Sequence, residues 1–181
     1  MLHLKNITAG NPKTAEQYQM TKRHSIVWLF SEDGKNWYEE QKNFASDTIK
    51  AAYNDSGRVV WVGKDVTGIE PTNVSIIELP DITANRRITV PGYWFYRNDE
   101  FVFDYKLKAE DERDTLLQQT SIMTSEWEKD LLLGLISDED REKLKAYRIY
   151  AKALQAMDLS TITDKTTYNA INWPERPDAA A

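Results

Sequence analysis

The distribution of glycine, proline and aromatic residues along the chain changes abruptly near Tyr105, and that change limits the fold more than any other feature. Up to and including Tyr105 lie six of the seven glycines, four of the six prolines and fifteen of the twenty aromatics. From there no proline occurs until Pro174, and Gly134 is the single glycine. Gly and Pro punctuate turns between short strands, whereas a long stretch without them permits helices. The expected class is therefore α+β. A β-rich domain of short antiparallel hairpins over residues 1–105 precedes an αα-hairpin over residues 106–178, which ends in an extended tail.

In the first part, Ile26 to Phe30 reads as a strand ending at Ser31-Glu32-Asp33-Gly34, with Asn36-Trp37-Tyr38 as the returning strand. Thr48 to Tyr53 and Arg58 to Val62 flank Asn54-Asp55-Ser56-Gly57 as a second hairpin. Val74 to Leu79 is a strand stopped by Pro80. Tyr93 to Arg97 and Glu100 to Tyr105 flank Asn98-Asp99, which suits a two-residue loop with positive φ.

In the second part, Leu116, Thr120, Met123, Trp127 and Leu131 draw one stripe along a helix. Gly134 closes it, and Leu135 is expected to pack back on the last turn. Ser137 caps the next helix, with Asp138-Glu139-Asp140 in its first turn and Leu144, Tyr147, Ala151 and Leu154 as its stripe. Two helices cannot enclose a core on all sides, so the hairpin must pack on the β-domain, on copies of itself or on a partner. Trp173-Pro174-Glu175-Arg176-Pro177 has the spacing of an extended segment. Its Trp is expected to pin the tail on its own domain or oligomer. The final Ala179-Ala180-Ala181 reads as a tail outside the fold.

Composition narrows the chemistry. The 181 residues hold no cysteine and two histidines, and carry a formal charge of -6. A thiol nucleophile, a Cys-based metal site and a phosphate-neutralising nucleic-acid surface are thereby disfavoured. No apolar run is long enough to insert into a membrane. The segment Gly57 to Asp65 has five residues between its glycines and Asp after Lys64, so it is not a phosphate loop, and no ATP or other cofactor is expected. Glu110-Asp111-Glu112 and Asp138-Glu139-Asp140 point in different directions on their helices and read as solvated, and His24 reads as a strand-edge residue. No metal site and no enzymatic activity are expected. A polysaccharide-trimming enzyme would need two carboxylates converging in a cleft. The aromatics of the first part are more numerous than its interior requires. One face of the strands is therefore expected to expose them as a binding surface, the alternative being a sheet buried on both faces.

Several strings resemble tail-fibre assembly proteins of Mu-like and lambda-like phages. They are Ile7-Thr8-Ala9-Gly10-Asn11-Pro12-Lys13-Thr14, Glu32 to Glu40, Pro80 to Arg87, the Trp94-bearing hairpin, and the closing Trp173-Pro174-x-x-Pro177. The resemblance implies a phage-encoded chaperone that works without ATP in the host cytoplasm. It would bind the C-terminal tip of a trimeric tail fibre and promote its folding and oligomerisation, and it could remain on the virion. Trp28, Trp37, Tyr38, Trp94 and Tyr96 are the expected fibre contacts. Trp127, Tyr147, Trp173, Pro174 and Pro177 are assigned to helical packing or self-association. The alternative is an accessory module that recognises bacterial lipopolysaccharide through the aromatic face.

Overall fold

A computed structural model describes residues 1–177. Asp178, the last residue of the expected helical domain, and the Ala179-Ala180-Ala181 tail lie outside the described residues. The chain divides into two compact units, Met1–Phe103 and Asp104–Ala181.

The first unit is built on a five-stranded antiparallel sheet in the order β2-β1-β5-β3-β4. Its strands are β1 (His3–Gly10), β2 (Trp28–Phe30), β3 (Ile49–Tyr53), β4 (Val59–Gly63) and β5 (Val74–Leu79). A separate hairpin pairs β6 (Trp94–Arg97) with β7 (Glu100–Phe103). Asn98 and Asp99 take φ 52° and 62°, so the two-residue loop has the handedness that strand twist favours. The β3–β4 hairpin and β5 fall where alternation and turn residues place them.

Two elements carry no strong periodicity and emerge only in the structure. Strand β1 lies between β2 and β5 and exposes much of its length. Helix α1 (Ala15–His24) starts at Thr14, whose side chain accepts from the Gln17 amide, and ends at Ser25 in the left-handed region (φ 54°). Glu16 in its first turn and Lys22, Arg23 and His24 in its last complement the helix dipole. One sequence expectation fails here. Asn36-Trp37-Tyr38 is not a returning strand: Phe30 bridges Asn36 alone, and Asn36 then caps a short helix α2 (Trp37–Glu40) by accepting from the Tyr38 amide.

Cross-strand register sorts the side chains of the sheet onto two faces. Leu4, Ile76, Ala52 and Trp61 oppose one another on one face. They join Ile7, Leu29, Trp37 and Val66 in one core, with Phe44 and Ile69 against it. His3, Ile77, Ala51 and Val62 share the other face. There a second core forms with Val59 and Ile88, closed by Trp94 and Phe101 of the β6–β7 hairpin. The sheet is therefore covered on both sides, and this is why so many rings find interior places. Gly57 marks the hairpin's closest approach. The Tyr96 amide donates to the Gly57 carbonyl at 2.7 Å, and a Cβ on Gly57 (φ 82°) would lie 2.4 Å from the Tyr96 oxygen.

The second unit is led by α3 (Tyr105–Leu133) and α4 (Asp138–Gln155). Asp104 caps α3 by accepting from the Leu107 amide, and Gly134 (φ 69°) ends it with its amide on the carbonyls of Asp130 and Leu131. Ser137 caps α4 through the Asp140 amide. Leu135 does not pack back on α3. It is 72% exposed, while Ile136, one residue on, is buried; past the left-handed Gly134 the amides of both residues donate to the Asp130 carbonyl. The α3 stripe is also less buried than its spacing implies, since Met123 and Leu131 are exposed. The hairpin's open side is closed by its own chain. After α4, Leu159 and Ile162 bury against Ala109 beside Tyr105, and the short helix α5 (Lys165–Asn169) adds Tyr168. Trp173 then packs with Leu116, Leu117 and Trp127 on the buried Tyr147, Tyr150 and Leu154. A latch holds this third layer: the Tyr168 hydroxyl donates to the Glu112 carboxylate (2.6 Å) and accepts from Lys108 Nζ (2.5 Å).

Candidate functional site

The first unit places its aromatic residues in three kinds of environment. Trp37, 1% exposed, lies in the first core beneath the sheet. Trp28 is also buried, and its indole N–H donates to Thr21 Oγ1 at 2.8 Å, which fastens α1 to β2. The expectation that these two rings form a contact surface is thus corrected. Helix α2 folds Trp37 inward, and α1 roofs Trp28.

Tyr38 is different. It is 45% exposed, stands edge-on to Trp28 (centroids 5.8 Å apart, 87°), and donates its hydroxyl to the Val27 carbonyl at 2.9 Å. Val27 beside it is 61% exposed. The buried indole thereby fixes an exposed phenol, a preorganised apolar patch with one polar handle.

Trp94 and Tyr96 are half-buried, and each belongs to a group of contacting rings. Trp94 meets Phe103 at 5.3 Å, and Tyr96 meets Phe101 at 5.0 Å and Tyr53 at 4.7 Å. His3 completes the Tyr96 group, 5.6 Å from Tyr96 and edge-on to it, with Nε2 2.7 Å from the Tyr53 hydroxyl. Sequence reasoning singled out Trp94 and Tyr96 but missed His3, Tyr53 and Phe101. These come from three other strands: the two-residue loop sets Phe101 opposite Tyr96, but no local pattern links His3 and Tyr53 to them.

The electrostatics of this rim keep it neutral. Burial, then the hydrogen bond to Asp99, pushes the Tyr96 phenol up to about 12. Burial also raises Tyr53, and it lowers His3 with help from the Lys5 charge. An uncharged rim of partly exposed rings with hydroxyl handles suits adhesion and stacking, not proton transfer at neutral pH. Among the described residues, no three His, Cys, Asp or Glu side chains are grouped to hold a metal ion. Nor, among the same residues, is any helix long and apolar enough to cross a membrane. The Asp81 carboxyl, in the loop after β5, is held down to about 2 by Arg86 of the same loop and Lys64 after β4.

In the second unit, the rings of Trp127 and Tyr147 meet at 6.0 Å, tilted by 43°, and Trp173 joins their cluster. Pro174 and Pro177 are half-buried beside it in the chain.

Comparison with known proteins gives these surfaces a context. A tail fiber assembly protein U' of Escherichia phage Mu is 44% identical over 98% of this chain and 100% of its own length. The U' protein of Escherichia phage P1 matches equally closely over the same shares. A probable tail fiber assembly protein of Escherichia phage P2 is 37% identical over 98% of this chain and 99% of its own length. The family model described as Caudovirales tail fibre assembly protein, lambda gpK, matches residues 39–178. On both grounds the chain belongs to the tail fibre assembly family of tailed phages.

Proposed function

We propose that this chain is a chaperone that binds the C-terminal tip of its cognate trimeric tail fibre and guides folding and oligomerisation without ATP. The observation that carries the reading is identity at 44% along nearly the whole chain to a protein named for tail fibre assembly. The geometry adds a means. Intertwined fibre chains meet late in folding and expose apolar edges until they do, a state prone to aggregation. Tyr38 stands on the buried Trp28, Trp94 packs on the core of Ala51, Val59 and Ile88, and Tyr96 packs among the half-buried His3, Tyr53 and Phe101, so covering such an edge costs little side-chain entropy. The absence of a phosphate loop in the sequence fits an ATP-independent cycle driven by burial alone. The protein then acts in the host cell while virions are assembled.

Co-expression with the neighbouring fibre protein tests the reading. The fibre's C-terminal fragment is expected to be soluble and trimeric with this chain and aggregated without it. Tyr38→Ala should weaken the complex by about 1–2 kcal/mol by titration calorimetry, with the fold intact. A fragment that trimerises equally well alone removes the chaperone role.

A further inference from the structure

We propose that the groove at the far end of β4 seats an acidic side chain of the fibre protein, carried on an extended segment that lies along the β4 edge. The inference rests on the chaperone reading above and names the chemistry by which the first unit holds its partner.

Strand β4 is the last of its sheet. The β6–β7 hairpin pairs only with the residues leading into it, through the Tyr96 amide on the Gly57 carbonyl and the bridge between Arg58 and Phe95. Past that point, among the described residues, no strand pairs with the outer side of Trp61, Val62 and Gly63. The register with β3 is regular along these three and shifts only toward Val59. Proteins usually blunt an open edge with a charge or a proline. Val59 to Gly63 holds neither. Such an edge is where an extended chain can add a strand, its backbone bonds giving affinity and its side chains giving specificity.

The groove opens where β4 ends. It has a volume of about 370 Å³ and a floor of Ile49, Val62 and Ile88, with Lys64, Asp81 and Arg86 around it. Two cations share one carboxylate there: Lys64 Nζ is 2.7 Å from one Asp81 oxygen, and Arg86 Nε is 2.6 Å from the other. The Asp81 side chain is 17% exposed, whereas those of Lys64 and Arg86 are 61% and 62% exposed. The acid is therefore enclosed, and the cations are what the groove presents to solvent. Arg86 Nη2 donates to the Asp81 carbonyl, which leaves Nη1, and the ammonium of Lys64 keeps two further N–H groups. Asp65, next to Lys64, accepts instead from Thr67. The groove thus carries a net positive charge on a chain whose total is -6.

These features select the occupant. An apolar floor beside unspent N–H groups fits a short methylene stem with a carboxylate head. A chain-terminal carboxylate is captured by converging backbone amides. Here the amides of Asn85, Arg86 and Ile88 already donate within the loop, so the donors on offer are side chains. The ligand is accordingly an internal Asp or Glu, and the same charges repel a basic segment.

The test co-expresses each variant of the full chain with the fibre's C-terminal fragment and follows dissociation of the purified complex. Lys64→Gln combined with Arg86→Gln should speed dissociation about tenfold and flatten its dependence on salt between about 50 and 300 mM. Circular dichroism should be unchanged, because both side chains are exposed. Lys64→Arg alone keeps the charge and should remain within about threefold of wild type. Each Asp and Glu of the fragment is then changed to its amide. One such change should cost about tenfold against wild type and almost nothing against the double variant, the coupling that identifies a pair. A double variant that dissociates like wild type at both salt levels, or a fragment with no coupled acid, overturns the proposal. So does a double variant that keeps the fragment and loses host lipopolysaccharide, which would make the groove a phosphate site. Trimerisation of the fragment with the wild-type chain is scored separately. Its failure removes the chaperone reading, whereas its success beside an indifferent double variant removes only the groove.

Discussion

Replacing Trp37 by Ala separates the two roles that this residue can be given. A contact residue would lose fibre affinity and leave stability unchanged; a core residue would do the reverse. The indole is 1% exposed and packs among Leu4, Ile7, Leu29, Ala52, Val66 and Ile76, with Phe44 edge-on at 6.2 Å. Truncating a buried Trp to Ala typically removes about 3–5 kcal/mol, part transfer and part cavity. A unit of this size has about 5–15 kcal/mol in total, so a midpoint fall on the order of 20 °C is expected. Trp37 lies in the first of the two compact units, so the loss is best read there. Hydrogen exchange of the β3 and β5 amides by mass spectrometry does so, and their protection should drop by several hundredfold or more. Trp37→Phe keeps a ring in place and should cost about 1–2 kcal/mol, which gives a folded variant for the fibre-binding assay. If Trp37→Ala left β3 and β5 protection within tenfold of wild type, the burial argument would be refuted. Fibre binding lost at normal stability would return Trp37 to the contact surface.

Lys50 and His3 give two further expectations in the same unit. The Lys50 side chain is buried, and its ammonium donates to the carbonyls of Ala45, Thr48 and Lys64. Lys50→Met strands those three acceptors and should lower stability by about 2–3 kcal/mol in urea titration; a loss below about 0.5 kcal/mol would refute it. His3 is held neutral, its value lowered from 6.5 by burial. The unfolded chain therefore takes up the proton first. Stability is fully present above pH 6.5 and falls as the pH drops through the depressed folded value. His3→Phe should flatten that acid-side slope in melts between neutral pH and pH 5, whereas an unchanged slope would assign it to other groups.

The features legible in the sequence are those encoded within a few residues. The Asn98-Asp99 loop demands positive φ, Gly134 and Ser137 bracket the turn between the long helices, and Pro80 ends β5. Each is a backbone preference that holds whatever surrounds it. Helix α1 was locally encoded too, by Thr14 and the charge order from Glu16 to His24, but it lacks an apolar stripe and so escaped a reading based on periodicity. Ile136, not Leu135, closes α3 because the outcome depends on how far Gly134 rotates the chain.

Burial of individual rings followed no local rule. Trp28, Trp37, Trp94 and Tyr96 look alike along the chain, yet Trp37 is enclosed, Trp28 is roofed by α1, and the other two sit at a rim with His3 and Tyr53. Likewise, that a two-helix hairpin needs a third layer was evident from the stripes, but only the folded chain supplies it from its own tail. The α+β class and most turns are legible along the chain, because these rest on backbone torsions and nearest-neighbour patterns. Tertiary structure alone decided which aromatics face solvent and which apolar side chains stay uncovered. Exposure depends on which distant segment arrives to cover a face, and no residue carries that information in its own neighbourhood.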